Sequence, residues 1–177
     1  MSYAYKSLLT PQNVESGISE YILFAPVSWF TTIAMPEAPF TNQGDSIRIT
    51  GDHVFTSGKG FVKMQLAPRK NKFDMKSVGD LGLNKLVTDA LEFFVPGSYA
   101  EAHEQMKNLI NTPMVCLVKD AQCEANILYQ FGCDCQSAWI TVEFGTGTTN
   151  EGIKGYTGKM VCDGSLLLYE GEVTLLP

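Results

Sequence analysis

The sequence predicts a mainly β protein, a β-sandwich or small barrel with one flanking α-helix. Three observations carry this. Short runs of β-branched and aromatic residues recur along the 177 residues, separated by glycine-bearing turns. The aromatic fraction is 11% and there are 16 glycines, which favours pleated surfaces and tight turns. Only one stretch, residues 98–110, has a helical start, stripe and stop together.

The length suits one domain able to bury a core without disulfide staples. We read residues 1–19 as an N-terminal arm and 20–177 as a single β-rich domain. A hydrophobic fraction of 45% and a charged fraction of 18% are those of a globular chain. The net charge of −6 argues against a nucleic-acid-gripping surface. Five cysteines, an odd number, follow a start that lacks a cleavable apolar leader, so free thiols in a reducing compartment are expected. No apolar run approaches the roughly 20 residues of a membrane span.

In order along the chain, residues 21–34 are rich in β-formers, and Pro26 divides them into two shorter strands or an edge. Gly44-Asp45 is a turn. Residues 46–50 alternate, with Ile47 and Ile49 sharing a face. A turn at Gly51-Asp52, a short run at 53–56 and a strand at 61–67 follow. In that strand Val62, Met64 and Leu66 oppose Phe61, Lys63 and Gln65. Residues 68–80 read as a long exposed loop, because Arg69, Lys70, Lys72 and Lys76 crowd its centre. Such a loop is a solvated tip, a contact with acidic surface on a neighbouring subunit, or a small nucleic-acid patch. Residues 85–95 fit either a helical stripe or a strand; the aromatic end before Pro96-Gly97 favours strand for the second half.

Residues 98–110 form the predicted helix. Ser98 and Glu101 fit a capping box. Ala102, Met106, Leu109 and Ile110 share one face, and Lys107 complements the C-terminal dipole. The last third is a meander: 114–119, 127–131, 138–144, 156–162 and 166–176. Residues 145–155 make a glycine- and threonine-rich turn, and Asp163-Gly164 a predicted type I′ hairpin turn.

Candidate chemistry is sparse. Cys133 and Cys135, with Cys123 upstream, are the one cluster suggesting a metal. Their spacing lacks the paired two-to-four-residue gaps of a zinc site, so packing thiols on one strand face are the better reading. His53 lies beside a turn and His103 at a boundary position on the helix; no motif supplies either with a nucleophile and an orienting acid. The turn at 145–155 lacks the lysine–serine/threonine ending and the following helix of a phosphate loop. Glu170 and Glu172 read as a polar strand face. No catalytic, cofactor-binding or metal residue is assigned, no cofactor is expected, and the chain is not expected to be an enzyme.

The order of elements is strands, basic loop, strands, capped helix, then a meander with a Gly-rich turn. It resembles the tail-tube fold shared by long-tailed phage tubes, contractile tails and type VI secretion tubes. The stretch 144–156, Phe-Gly-Thr-Gly-Thr-Thr-Asn-Glu-Gly-Ile-Lys-Gly-Tyr, resembles a turn of small phage virion proteins. The likeness spans about residues 21–176. It implies a structural virion protein, assembled in the host cytoplasm, whose subunits form stacked, typically hexameric rings around a channel. DNA would pass through an acidic lumen without specific binding, and other tail proteins would be partners. The implied assembly contacts are Arg69, Lys70, Lys72, Phe73 and Lys76, with the arm. A tail terminator or head–tail connector is the nearest alternative. A monomeric β-sandwich module binding carbohydrate or protein, presenting Trp29 or Trp139, is the alternative of another class.

Overall fold

A computed structural model describes residues 17–79, 86–120, 128–147, 152–164 and 166–176. In chain order the strands are β1 (Ile18–Pro26), β2 (Phe30–Thr32), β3 (Arg48–Ile49), β4 (Val54–Phe55), β5 (Val62–Gln65), β6 (Lys72–Val78) and β7 (Leu86–Pro96). Helix α1 (Ala100–Leu109) follows, then β8 (Met114–Asp120), β9 (Leu128–Phe131), β10 (Trp139–Gly145), β11 (Gly155–Asp163) and β12 (Leu167–Tyr169). They form a six-stranded sheet of order β3-β12-β9-β8-β1-β5, a four-stranded sheet of order β10-β11-β7-β6, and a ribbon of β2 and β4. The chain is thus a mainly β sandwich with one helix.

The run Met-Val-Cys-Leu-Val in β8 explains the layering. Residues 114–118 are all at most 1% exposed, so alternate side chains enter different cores. An unbroken apolar strand is what two-sided burial selects. Met114, Cys116 and Val118 face Leu91, Phe93, Ile140, Tyr156 and Met160 of the four-stranded sheet. Ala102, Met106 and Leu109 of α1 complete that core. Val115 and Leu117 face a second core on the other side, with Leu23, Ile49, Phe61 and Tyr169, covered by Trp29, Phe30, Ile33 and Phe55. β5 alternates as expected: Met64 joins the first core and Phe61, just before it, the second.

The first core is tight at Gly158. A Cβ there would lie 2.1 Å from Cζ of Phe93, directly across on β7. The ring occupies the space a side chain would need, so Gly158→Ala forces a large ring or strand shift. We expect a loss of about 3 kcal/mol, the upper part of the range for overpacking, measured by denaturant unfolding with an unchanged m-value.

Several expectations are corrected. The basic stretch is not a long loop: after a turn, residues 72–78 are strand β6, paired antiparallel to β7 along its whole length. The alternation of Lys72, Asp74 and Lys76 against Phe73 and Met75 makes the strand, and the charge density hides it. From Leu86 on, the first half of 85–95 is strand as well, within one 11-residue β7. Asp163-Gly164 is not a hairpin turn. Neither residue has positive φ, and β11 and β12 lie in different sheets. The Gly164 N–H donates to the Val87 carbonyl at 2.8 Å, and the chain then crosses to the other sheet.

The predicted strand at 166–176 is confined to β12 and a single bridge from Leu175 to Phe61. Glu170 therefore lies beyond the strand and pairs with Arg48 at 3.0 Å. Ile47 sits in a 3-10 turn and is 40% exposed, whereas Ile49 is fully buried. The capping box does not form. The N-cap is Tyr99, without a side-chain cap bond, and the Ser98 hydroxyl instead lies 3.4 Å from Nε2 of His103. Ile110 falls outside the buried stripe. Cys133 and Cys135 lie in a bend after β9, not on one strand face. Residues 1–16 of the arm, Cys123 and the tip of the 145–155 turn lie outside the described residues, while Ile18 and Ser19 belong to β1.

Candidate functional site

The four-stranded sheet is the feature that invites a partner. Its order leaves β6 and β10, each of seven residues, as edges with no strand beyond them among the described residues. All three pairings are antiparallel, so β6 and β10 run in opposite directions. A β6 edge set against a β10 edge of another copy would therefore continue an antiparallel ladder. Free edges of this length are a hazard that monomers normally blunt. Met75 and Val78 on β6 and Trp139 and Phe144 on β10 remain exposed.

The outward face of this sheet is written in rows by the register. Trp139, Val161, Ala90 and Asp74 lie across one row; Thr141, Lys159, Glu92 and Lys72 across the next. Asp163, Thr88 and Lys76 extend the face on one side, and Glu143, Thr157 and Phe94 on the other. Carboxylates and ammonium groups alternate. Lys72 lies 2.6 Å and Lys76 3.9 Å from Asp74, and Lys159 lies 3.7 Å from Glu92. The Asp74 carboxylate beside it raises the pKa of Lys72 and keeps it charged. The face is thus near charge balance rather than acidic.

The five expected contact residues divide. Arg69 sits in the exposed turn before β6 with φ of 58°. Lys70 caps the Phe94 ring at 4.7 Å. Lys72 and Lys76 are tied to Asp74, on the same strand. Phe73 is half-buried: it packs inward against the first core, with ring centroids 6.1 Å from Tyr129 and 5.5 Å from Phe131. It seals the sandwich under the β6 edge, so removing residues 69–76 would remove part of the core as well as the edge. Phe73→Ala should cost about 3 kcal/mol, the low end for a phenylalanine because the ring is only half-buried; thermal unfolding checks this. Asn71, which the sequence did not single out, locks the turn. Its Nδ2 donates to the Ala67 carbonyl at 2.7 Å, and its Oδ1 accepts from the Phe94 N–H at 3.2 Å.

The histidines are placed differently. His103 is exposed, hydrogen-bonded to the Tyr156 hydroxyl and edge-on to Phe144. His53 is buried in the second core. The Ala34 N–H donates to its Nδ1 at 3.1 Å, which leaves the proton on Nε2 to donate to Gln130 Oε1 at 2.9 Å. The ring stacks on Tyr169 at 4.5 Å. Burial pulls its pKa down to about 4, against the opposing pull of Gln130 and Asp52. Both of its nitrogens are engaged within the fold, which leaves it no lone pair for a metal or substrate. Among the described residues no group of three or more His, Cys, Asp or Glu is arranged to hold a metal ion, and no helix is long and apolar enough to cross a membrane.

In comparisons with known proteins, no family model, no curated protein and no solved structure matches the chain.

Proposed function

We propose that this chain is a structural, self-assembling subunit whose four-stranded sheet continues from copy to copy around a ring, in the manner of a phage tail tube. The observation that carries this is the pair of seven-residue edges, β6 and β10, on one antiparallel sheet. Because the two edges are different strands, their junction is head-to-tail, and head-to-tail contacts generate rings or open helices rather than closed dimers. The six-stranded sheet, buried on both faces, is the rigid body that holds the open sheet. The outward face would then line a channel.

Its charge balance suits passage of DNA. Lys72 and Lys76 share the Asp74 carboxylate and Lys159 faces Glu92, which weakens the phosphate attraction that would hold the strand. This replaces the expected acidic lumen with a neutralised one. A virion location, stacked rings and other tail proteins as partners belong to the same proposal, and catalysis is no part of it. Sedimentation velocity over a hundredfold concentration range tests it. A ring-sized species at the upper concentrations is the expected result. A monomer throughout would instead favour a β-sandwich binding module using the exposed Trp139.

A further inference from the structure

We propose that a cavity at the open end of the second core binds a small carboxylate with an apolar tail, a medium-chain fatty acid in type, with Lys63 and Lys119 holding the carboxylate. The cavity has a volume of about 270 Å³, at the small end of the range for ligand sites. Its floor is apolar. Leu23 of β1 and Leu128 of β9 lie on the face of the six-stranded sheet that builds the second core. Val173 and Leu175, from the segment after β12, line the cavity with them. Leu175 is fixed there by its bridge to Phe61, yet it is 51% exposed. An apolar tail seated beside it would remove that surface from water.

The register brings the charge to this end. β5 and β8 flank β1 on either side. Lys63 of β5 lies across from Leu23. Lys119 of β8 lies across from Leu128 and two positions beyond Leu117, so it shares the side of β8 that faces the second core. Both lysines therefore stand where the apolar residues of that face end, and both line the cavity. Lys63 holds its ammonium group 4.2 Å from the centroid of the Tyr21 ring, which also lines it. Among the described residues neither lysine has a carboxylate within ion-pair distance, and none of the lining residues is acidic. Lys72, Lys76 and Lys159 of the other sheet differ, since each lies beside a carboxylate. Two ammonium groups without carboxylate partners, beside an apolar floor, complement an anion joined to an apolar body. The cavity belongs to the six-stranded sheet, so it stands whether or not the four-stranded sheet assembles.

The test is calorimetric titration of the full chain with octanoate, with hexanoate and octylamine alongside. Octanoate should bind saturably with a dissociation constant of about 1 mM or tighter. Each methylene added beyond hexanoate should tighten binding about fourfold, as its burial requires, and octylamine should not bind. Lys63→Met and Lys119→Met keep an apolar stem and remove the charge, and both should melt as the parent does. Lys119→Met should weaken octanoate about tenfold, and Lys63→Met, at an exposed position, about threefold. Lys107→Met, on α1, should bind as the parent does. No saturable octanoate binding, equal binding of octylamine, or an affinity unchanged in both Lys63→Met and Lys119→Met overturns the site. Co-flotation with phosphatidylglycerol vesicles in place of octanoate binding would assign the lysines to a lipid surface and overturn it as well.

Discussion

A proline on the free edge of β6 should abolish assembly while leaving the subunit folded. Lys76 and Ser77 are both exposed, adjacent strand positions. Successive N–H groups of a strand point to opposite sides, so one of the two faces β7 and the other faces outward. Proline at the outward position removes a donor that only another copy could use and places a ring where its strand would lie. Proline at the inward position breaks a bond to β7 and should lower the stability of the subunit itself. Of Lys76→Pro and Ser77→Pro, one should therefore melt close to the parent and sediment as a monomer at every concentration. The other should lose about 3 kcal/mol or more, on the scale of proline within regular structure. Assembly by both variants at parental concentrations would mean that β6 is not a subunit junction.

The second large effect is on the pH dependence of stability, where His53 and Asp89 oppose each other. Burial holds His53 at about 4, below its ordinary 6.5. Its contribution is present above 6.5 and is lost as the pH falls toward 4, because the unfolded chain takes up the proton first. Burial raises Asp89 from 3.8 to about 6. Its contribution is present below 3.8 and is lost as the pH rises through 6. Between about pH 4 and 6 the two slopes have opposite sign and similar size, so together they leave stability nearly flat. Shifts of about two pKa units correspond to about 3 kcal/mol each at full extent.

Asp89→Asn should thus stabilise the fold by about 2 kcal/mol above pH 7, less than the full figure because the buried amide also lacks partners. It should also leave a profile that falls steeply on acidification. His53→Gln should leave the opposite slope, with stability falling as the pH rises from 4 to 6. Denaturant melts at half-unit pH steps measure both. A parental profile in Asp89→Asn would show that the carboxyl is solvated or paired in solution.

What was legible in the sequence was local. The alternation in Trp139–Gly145 and Gly155–Asp163 placed a hairpin whose register runs unbroken from Trp139 against Val161 to Gly145 against Gly155. The stripe Ala102, Met106 and Leu109 placed the buried face of α1. Misreadings arose where long-range pairing outvoted a local signal. Asp163-Gly164 has hairpin chemistry, but β7 captures the Gly164 N–H and β12 finds β9 in the other sheet. The lysines around β6 read as solvent loop because their partner Asp74 is on the same strand and their hydrogen bonds are to β7. The second core was signalled only by the unbroken apolar run of β8. The links of His53 to Gln130 and of Cys162 to Gln136 join residues 77 and 26 apart, and no periodicity announces such pairs. The open edges, too, follow from strand order and not from the composition of any strand.

Negative-stain electron microscopy of the purified chain across a range of concentrations, with light scattering alongside, tests the central claim most directly. Rings or tubes with an open channel are the predicted result. Single particles of one subunit at every concentration, with no larger species in scattering, would contradict it.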